Sequence, residues 1–404
     1  MARGTDITQF KRKYRERNEG DFPESFPILL TKESDLKYGE NPGQQAAVYR
    51  LAQINEVNSL YISGSSGFKY ARTDDQGKGG LSLTNQMDIS RAMDVLKYSD
   101  NPTVVIMKHN IVSGYAKGKE LLNITQLFRQ ARDADRRSNF GGTAVFNRPL
   151  NIETAAALFE LKGSSPFFVD VLAAIGYESG VLDYIQSQSK NMRIAKIFGV
   201  EELPRFHGDN TYGLVSLKDM PTGRVGVQTL PLTSIKGKES LVLDPVIVDE
   251  KGSHTINRDP TERELEDLLT AWWINVSGVR SNGIVFVKNG VSVAIGSGQV
   301  ERVGAVEQAI VKGMQKAMDR EGISYDPLMG MQGWEKLKEN PFEGAAMSSD
   351  AFFPDRDSID RLGRVGVSAV IQPYGSIKDA SVIDAANEHW IAMPATLERC
   401  FLHI

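Results

Sequence analysis

Cysteine is almost missing: Cys400 is the only one in 404 residues. That excludes an internal disulfide and any cysteine-built zinc cluster, and it makes a reducing cytoplasm the expected home. An excess of charge of either sign is missing as well, with 47 Lys and Arg against 51 Asp and Glu. Such a balance gives no electrostatic footprint for nucleic acid, although it is compatible with a local basic pocket for one phosphorylated metabolite. There is no uninterrupted apolar run of about 18 residues, so no membrane-spanning helix is expected. The N-terminal stretch has no apolar h-region, so a secretory signal is not expected either, and its KRKYRER run reads as a solvated helix face. No segment repeats with a period of about 20–50 residues, and none is low in complexity.

What is present is an ordinary globular composition, 41% hydrophobic and 24% charged, in a chain long enough for two or three domains. The element order is mixed α/β. Val104–Met107 is a β-branched apolar run after Asn101-Pro102 and reads as a buried strand. Helical spacing runs through Asp88–Tyr98, and further helices are predicted over Ile152–Leu161, Gly180–Ser187 and Val300–Asp319. Thr261-Glu262-Arg263-Glu264 has the pattern of a capping box opening a helix. Gly283–Lys288 and Val291–Ile295 flank Asn289-Gly290, a hairpin signal because that turn needs positive φ twice. The C-terminal part reads as helix (Ser358–Arg364), strand (Val367–Ile371), helix (Ala380–Glu388) and strand (Trp390–Met393). Between about Glu202 and Asp259 the texture changes to short strands with Pro, Gly and polar turns, a linker or small subdomain.

Three groups of residues could carry chemistry. Lys108-His109 sits where a buried strand runs out, and ligands of α/β sheets gather at the carboxyl ends of strands. Adjacent strand residues face opposite ways, so the pair converges on one reactant only if the chain leaves the sheet, a departure that Ser113-Gly114 would permit. The bland reading is a packed histidine beside a solvated lysine. Phe140-Gly141-Gly142-Thr143 and Gly296-Ser297-Gly298-Gln299 are glycine loops that allow close backbone approach. Neither is a P-loop or a dinucleotide fingerprint, and each alone reads equally as a tight turn. Asp350-Ala351-Phe352-Phe353-Pro354 is either a staple into the following helix or an apolar wall for a flat ligand. Arg399 is a phosphate anchor or a surface residue of a mobile tail.

Taken together, these segments resemble one family. Leu36-Lys37-Tyr38-Gly39-Glu40-Asn41-Pro42-Gly43-Gln44 is similar to its Leu-Arg-Tyr-Gly-Glu-Asn-Pro-His-Gln motif, and Met107-Lys108-His109…Gly114 to its Lys-His-x-Asn-Pro-Cys/Ala-Gly. In the same order follow Ser138-Asn139-Phe140-Gly141-Gly142, Arg280-Ser281-Asn282, Gly296-Ser297-Gly298-Gln299 and Ser349–Pro354, with Arg399 near the end. The chain thereby resembles the AICAR transformylase family from about Leu36 onward.

That resemblance implies two cytidine-deaminase-like α/β/α lobes in tandem, at 36–201 and 260–404, with a small subdomain at 202–259 and an N-terminal extension at 1–35. It implies formyl transfer from 10-formyltetrahydrofolate as cosubstrate to the 5-amino group of AICAR, no catalytic metal, and room for a structural monovalent cation. Lys108, His109 and Asn282 are the implied catalytic residues. Lys37, Tyr38 and Arg399 would meet the phosphate, Asn85 the carboxamide, and Gly141 and Asp170 the base and ribose. Phe140, Arg302, Phe352, Pro354 and Asp357 would line the folate site. A cytoplasmic homodimer with shared active sites is implied, without nucleic-acid or membrane partners. Because only about 35 residues precede Leu36, ring closure to IMP is expected on a separate cyclohydrolase.

The departures are specific. Lys37 stands for Arg and Gly43 for His, Ile111-Val112-Ser113 for Asn-Pro-Cys/Ala, and Asp355 for a Phe beside the folate site. The last keeps open a different donor, formate with ATP or formyl phosphate. A non-catalytic AICAR-binding homologue is the third reading.

Overall fold

The computed structural model describes residues 5–6, 30–35, 47–54, 60–62, 67–70, 81–118, 123–162, 165–211, 214, 216–221, 224–326 and 332–403. Ten strands form one sheet. In chain order they are β1 (Gly67–Tyr70), β2 (Thr103–Lys108), β3 (Ile111–Lys117), β4 (Gly142–Phe146), β5 (Val169–Ala174), β6 (Arg193–Phe198), β7 (Ile284–Lys288), β8 (Val291–Gly296), β9 (Ala346–Ser349) and β10 (Ala369–Ile371). Across the sheet the order is β10-β9-β7-β8-β3-β2-β4-β5-β6-β1. The helices are α1 (Leu83–Leu96), α2 (Ile124–Ala134), the one-turn α3 (Arg136–Asn139), α4 (Ile152–Ala157), α5 (Val181–Gln188), α6 (Glu262–Gly278), α7 (Arg302–Glu321), α8 (Asp357–Arg364) and α9 (Asp379–Glu388).

Side-chain alternation along the strands packs both faces of the sheet. Val105 and Met107 of β2 and Val285 and Val287 of β7 pack with Ile89, Ala92 and Leu96 of α1 and Ala271 and Ile274 of α6. Their strand neighbours Val104 and Ile106 turn the other way, onto Leu127, Phe128 and Ala131 of α2. Ile284 and Phe286 likewise face Ala305, Val306 and Ala309 of α7. Helices therefore cover both faces of the sheet.

The two parts of the sheet repeat one plan. A helix, an antiparallel hairpin, a second helix, a strand antiparallel to the hairpin's first strand, a helix and then a parallel strand follow in order. This holds for α1-β2-β3-α2-β4-α4-β5 and again for α6-β7-β8-α7-β9-α8-β10. The halves meet where β8 runs antiparallel to β3, joined by the single pair Val291 and Ala116. The Tyr115 amide adds a bond to the Ser292 hydroxyl at 3.0 Å. Both leading helices begin with a capping box, at Ser82 with Asn85 and at Thr261 with Glu264. Each cap contributes about 1 kcal/mol to its helix.

Most predicted elements form, with informative differences. α1 starts at Leu83 rather than Asp88, because the Ser82 cap precedes the apolar stripe. The helix expected to run to Leu161 ends at Ala157, and Leu161–Lys162 pairs instead with Ser165–Pro166. Trp390–Met393 makes one bridge, between Ala392 and Ala369, rather than a strand. Among the described residues no helix is long and apolar enough to cross a membrane.

Candidate active site

The strand ending in Lys108 does not leave the sheet as expected. It turns back at once through His109 and Asn110, both at positive φ (54° and 62°), so that Lys108 pairs with Ile111. Two central residues at positive φ make a type I′ hairpin, and Asn and His are among the residues that tolerate that region best. Ser113 and Gly114, read from sequence as the exit, lie inside β3. His109 is exposed at the tip and Lys108 is half-buried at its base.

The lysine ammonium reaches across to the glycine loop, donating to the carbonyls of Phe140 and Gly141, both at 2.9 Å. Local sequence explains why that loop is there. Asn139 Nδ2 donates to the Ala131 and Arg132 carbonyls at the end of α2, each at 2.9 Å. Gly114 makes room for this cap, since a Cβ there would lie 2.3 Å from the Ala131 oxygen. Gly141 then takes φ +67° and donates its N–H to the Phe168 carbonyl at 2.7 Å, and the Phe140 and Phe168 rings sit 5.9 Å apart. A Cβ on Gly141 would lie 3.2 Å from Lys108 Nζ. Gly141→Ala is expected to lower turnover at least about tenfold by moving the ammonium a few tenths of an ångström from its place on the loop, with a backbone cost of about 1–2 kcal/mol at the positive φ. Steady-state kinetics beside a melting curve check it; unchanged turnover would dissociate the loop from the chemistry.

Strand directions show what shares this edge. β2 ends there, while its neighbour β4 begins there, and β5 and β6 run parallel to β4. On the other side β7 begins and β8 ends at the same edge, as do β9 and β10. One rim of the sheet thus carries Lys108, His109, Phe140, Gly141, Asp170, Asn282, Arg302 and Asp350. The rim mixes strand starts with strand ends, so the carboxyl-end expectation describes only part of it.

Several predicted residues are held by partners in the chain. Asp170 pairs with Arg193 at 2.8 Å. Asn282 Nδ2 donates to the Gln299 carbonyl at 2.8 Å, which fixes the direction of its amide. The loop before α7 is tied to the same segment, Gly298 N–H donating to the Arg280 carbonyl at 3.1 Å. Arg302 is buried and forms an ion pair with Asp350, adding a bond to Ser349 Oγ at 3.2 Å. The second Asp350 oxygen accepts from Ser281 Oγ at 2.5 Å and from Gly283 N–H at 2.9 Å. This buried carboxylate therefore shapes the backbone on both sides of Asn282. Asn85 Oδ1 closes the α1 capping box, accepting from Ser82 N–H at 3.2 Å.

Phe353 is fully buried in the core, whereas Phe352 is half-buried and Pro354 exposed. Asp357 opens α8, and its Oδ1 accepts from the Ser358 amide at 2.7 Å. Asp355 forms an ion pair with Lys378, which holds its carboxyl below the usual range. Arg399 is exposed over the Phe401 ring, 4.8 Å from its centroid. It lines a cavity of about 880 Å³ with Arg91, Lys97 and Lys218, and with Asp94 as the acidic member. Lys37, Tyr38 and the rest of Leu36–Gln44 lie outside the described residues. Among the described residues no three His, Cys, Asp or Glu are grouped to hold a metal ion.

Asp88, Phe168 and Arg193 take part in this arrangement without standing in any of the motifs named above. The one available signal was Asp88, an acid on the apolar stripe of its helix between Leu83 and Ile89.

A mixed α/β sheet with a lysine, an exposed histidine and an oriented amide along one rim has the makings of an acid–base site. The family profile described as AICARFT/IMPCHase bienzyme matches residues 5–312, and the chain belongs to that family. It is similar to curated proteins described as bifunctional purine biosynthesis protein PurH. The one from Persephonella marina is 34% identical over 382 residues, and the one from Magnetococcus marinus 33% over 392. Each comparison covers 95% of this chain and 62% of the relative, so the chain spans about three fifths of the relatives' length.

Proposed function

We propose that this protein transfers a formyl group from 10-formyltetrahydrofolate to the 5-amino group of AICAR, giving FAICAR in purine biosynthesis. The observation that carries the reading is the Lys108 ammonium, fixed on the Phe140 and Gly141 carbonyls beside the exposed His109. The AICAR amine is a poor nucleophile because its lone pair is delocalised into the ring and towards the carboxamide. Its attack on the formyl carbon makes a C–N bond, an oxyanion and an acidic N–H. His109 takes that proton, and Lys108 stabilises the oxyanion and protonates the departing folate nitrogen. Asn282, its amide oriented by Gln299, holds the substrate through the step.

In this reading Lys37, Tyr38 and Arg399 hold the phosphate, and the basic lining around Arg399 supports that role. Asn85 meets the carboxamide, and Gly141 and Asp170 the base and ribose. Phe140, Arg302, Phe352, Pro354 and Asp357 line the folate side. The repeated plan of the two half-sheets supports two cytidine-deaminase-like lobes, at 36–201 and 260–404, flanking the 202–259 subdomain. The reading includes a cytoplasmic homodimer with shared sites.

One feature favours a different donor on the same site. Asp355, with its Lys378 partner, puts an ion pair where the family has an aromatic wall. Purified protein with AICAR and 10-formyltetrahydrofolate should release tetrahydrofolate, followed by absorbance, and His109→Ala should abolish the release. Silence from folded, AICAR-binding protein sinks the folate reading. Turnover with formate and ATP, or with formyl phosphate, would then establish the alternative donor.

A further inference from the structure

The two halves of the sheet use one device at their hairpins and spend it differently. Asp88 is the sixth residue of α1 and Asp267 the sixth of α6, each counted from an equivalent capping box. Both are buried on the sheet side of the helix, 6% and 2% exposed, and both reach a hairpin turn. Asp267 gives both oxygens to its turn, accepting from Asn289 N–H at 2.9 Å and Gly290 N–H at 2.7 Å, and the oxygen facing Asn289 also accepts from Arg263 Nη1 at 2.9 Å. Asp88 gives its turn only one oxygen, which accepts from Asn110 N–H at 2.7 Å. The other accepts from Thr143 Oγ1 at 3.1 Å, on the strand that follows Gly141.

The halves part company at the residues that make this difference. His109 stands where the second half has Asn289, and Thr143, which pairs with Met107 of β2, stands where Ala346 of β9 pairs with the equivalent Val287 of β7. The second half thus has an Asn-Gly turn held wholly by its aspartate and no hydroxyl at the position of β9 that matches Thr143, the serines Ser348 and Ser349 lying at the other end of that strand. In the first half one carboxylate joins the two segments that present the candidate chemistry, the His109 turn and the Gly141 loop. Lys108 lies between them, joined to the same loop from the strand side.

We propose that Asp88 is a positioning residue, tying the His109–Asn110 turn to Thr143 and so setting His109 and Lys108 against the Gly141 loop. The inference rests on the formyl-transfer reading for its kinetic consequence, but not for its structural one. Burial raises the Asp88 carboxyl above its usual range, opposed by the Asn110 and Thr143 bonds and by the charges of His109 and Lys108. Burial also raises Asp267, so a purely structural role predicts that the two aspartates behave alike. Positioning predicts that they do not.

The experiment compares Asp88→Asn, Thr143→Val and Asp267→Asn in the full chain. It reads kcat, KM for AICAR, the melting midpoint and the ligand-free His109 ring signal in NMR, assigned with His109→Ala. Asp88→Asn and Thr143→Val are expected to lower kcat at least about tenfold with KM changed less than about threefold, since small misplacements of reacting groups cost rate. Both should move the His109 signal. Asp267→Asn should lower the melting midpoint yet leave kcat within about twofold and the His109 signal in place. Equal kcat losses from the two aspartates, or a His109 signal unmoved by Asp88→Asn, would overturn the inference. If Asp88→Asn does not fold, Thr143→Val decides, because it keeps the Asp88–Asn110 bond; unchanged kcat and signal there also overturn it. Wild-type protein without turnover from any donor would defeat the formyl-transfer reading alone, because the NMR comparison still decides the role of Asp88.

Discussion

Lys108→Met is expected to reduce formyl transfer by about 10²–10⁴-fold while AICAR binding stays within about threefold. The ammonium spends two of its three N–H donors on the Phe140 and Gly141 carbonyls, which fixes it in place before any reactant arrives. A preorganised cation acts on the oxyanion formed at the transition state more than on the neutral ground state. Its loss therefore falls on kcat rather than on KM. Methionine keeps the unbranched chain as far as Cε and removes the ammonium. Steady-state kinetics, calorimetric titration with AICAR and a melting curve separate the outcomes. A kcat within tenfold of wild type, or a KM effect alone, would reduce Lys108 to a clasp on the glycine loop.

The largest effect on stability is expected from Asp350→Ala. Arg302 and Asp350 have side chains only 6% and 1% exposed, so removing the carboxylate leaves a guanidinium charged, buried and unpaired. Breaking such a pair costs about 3–5 kcal/mol. The same carboxylate accepts from Ser281 Oγ and Gly283 N–H, so Asn282 loses its frame and turnover should fall with stability. Adding Arg302→Met to Asp350→Ala removes the stranded charge. The double variant should recover a good part of the lost stability without recovering activity. Denaturant melts of the two single variants and the double variant test this cycle. A strictly additive double variant would show that the pair is not energetically coupled.

Family membership, together with the placement of the candidate residues, reshapes what each motif means. Gly114 and Asn139 are part of the ordered motifs, yet their work is to close α2 and deliver the Phe140–Gly141 loop. Arg302, expected along the folate site, is buried against Asp350 and acts on the fold around Asn282 whether or not it also meets a ligand.

Local chemistry in the chain determined a good deal. The capping box at Thr261, the Asn289-Gly290 hairpin and the apolar run around Val104 each depend on interactions a few residues apart, and each forms as read. The ordered motifs likewise pointed to the family through side chains that are legible one segment at a time. The tertiary structure alone decided how those segments meet. Nothing local in Lys108-His109 distinguishes a chain leaving the sheet from a tight hairpin, whose turn amide is received by a carboxylate from another element, Asp88 of α1. Nor could the sequence show that β7–β10 continue the sheet of β1–β6 with a common rim. That continuity is made by the pairing of Val291 with Ala116 and by the core that α1 and α6 share, both between residues far apart in the chain. The repeat of Asp88 in Asp267 is legible only in the structure, because what matches the two aspartates is the hairpin amide each receives, while the residues immediately beside them differ.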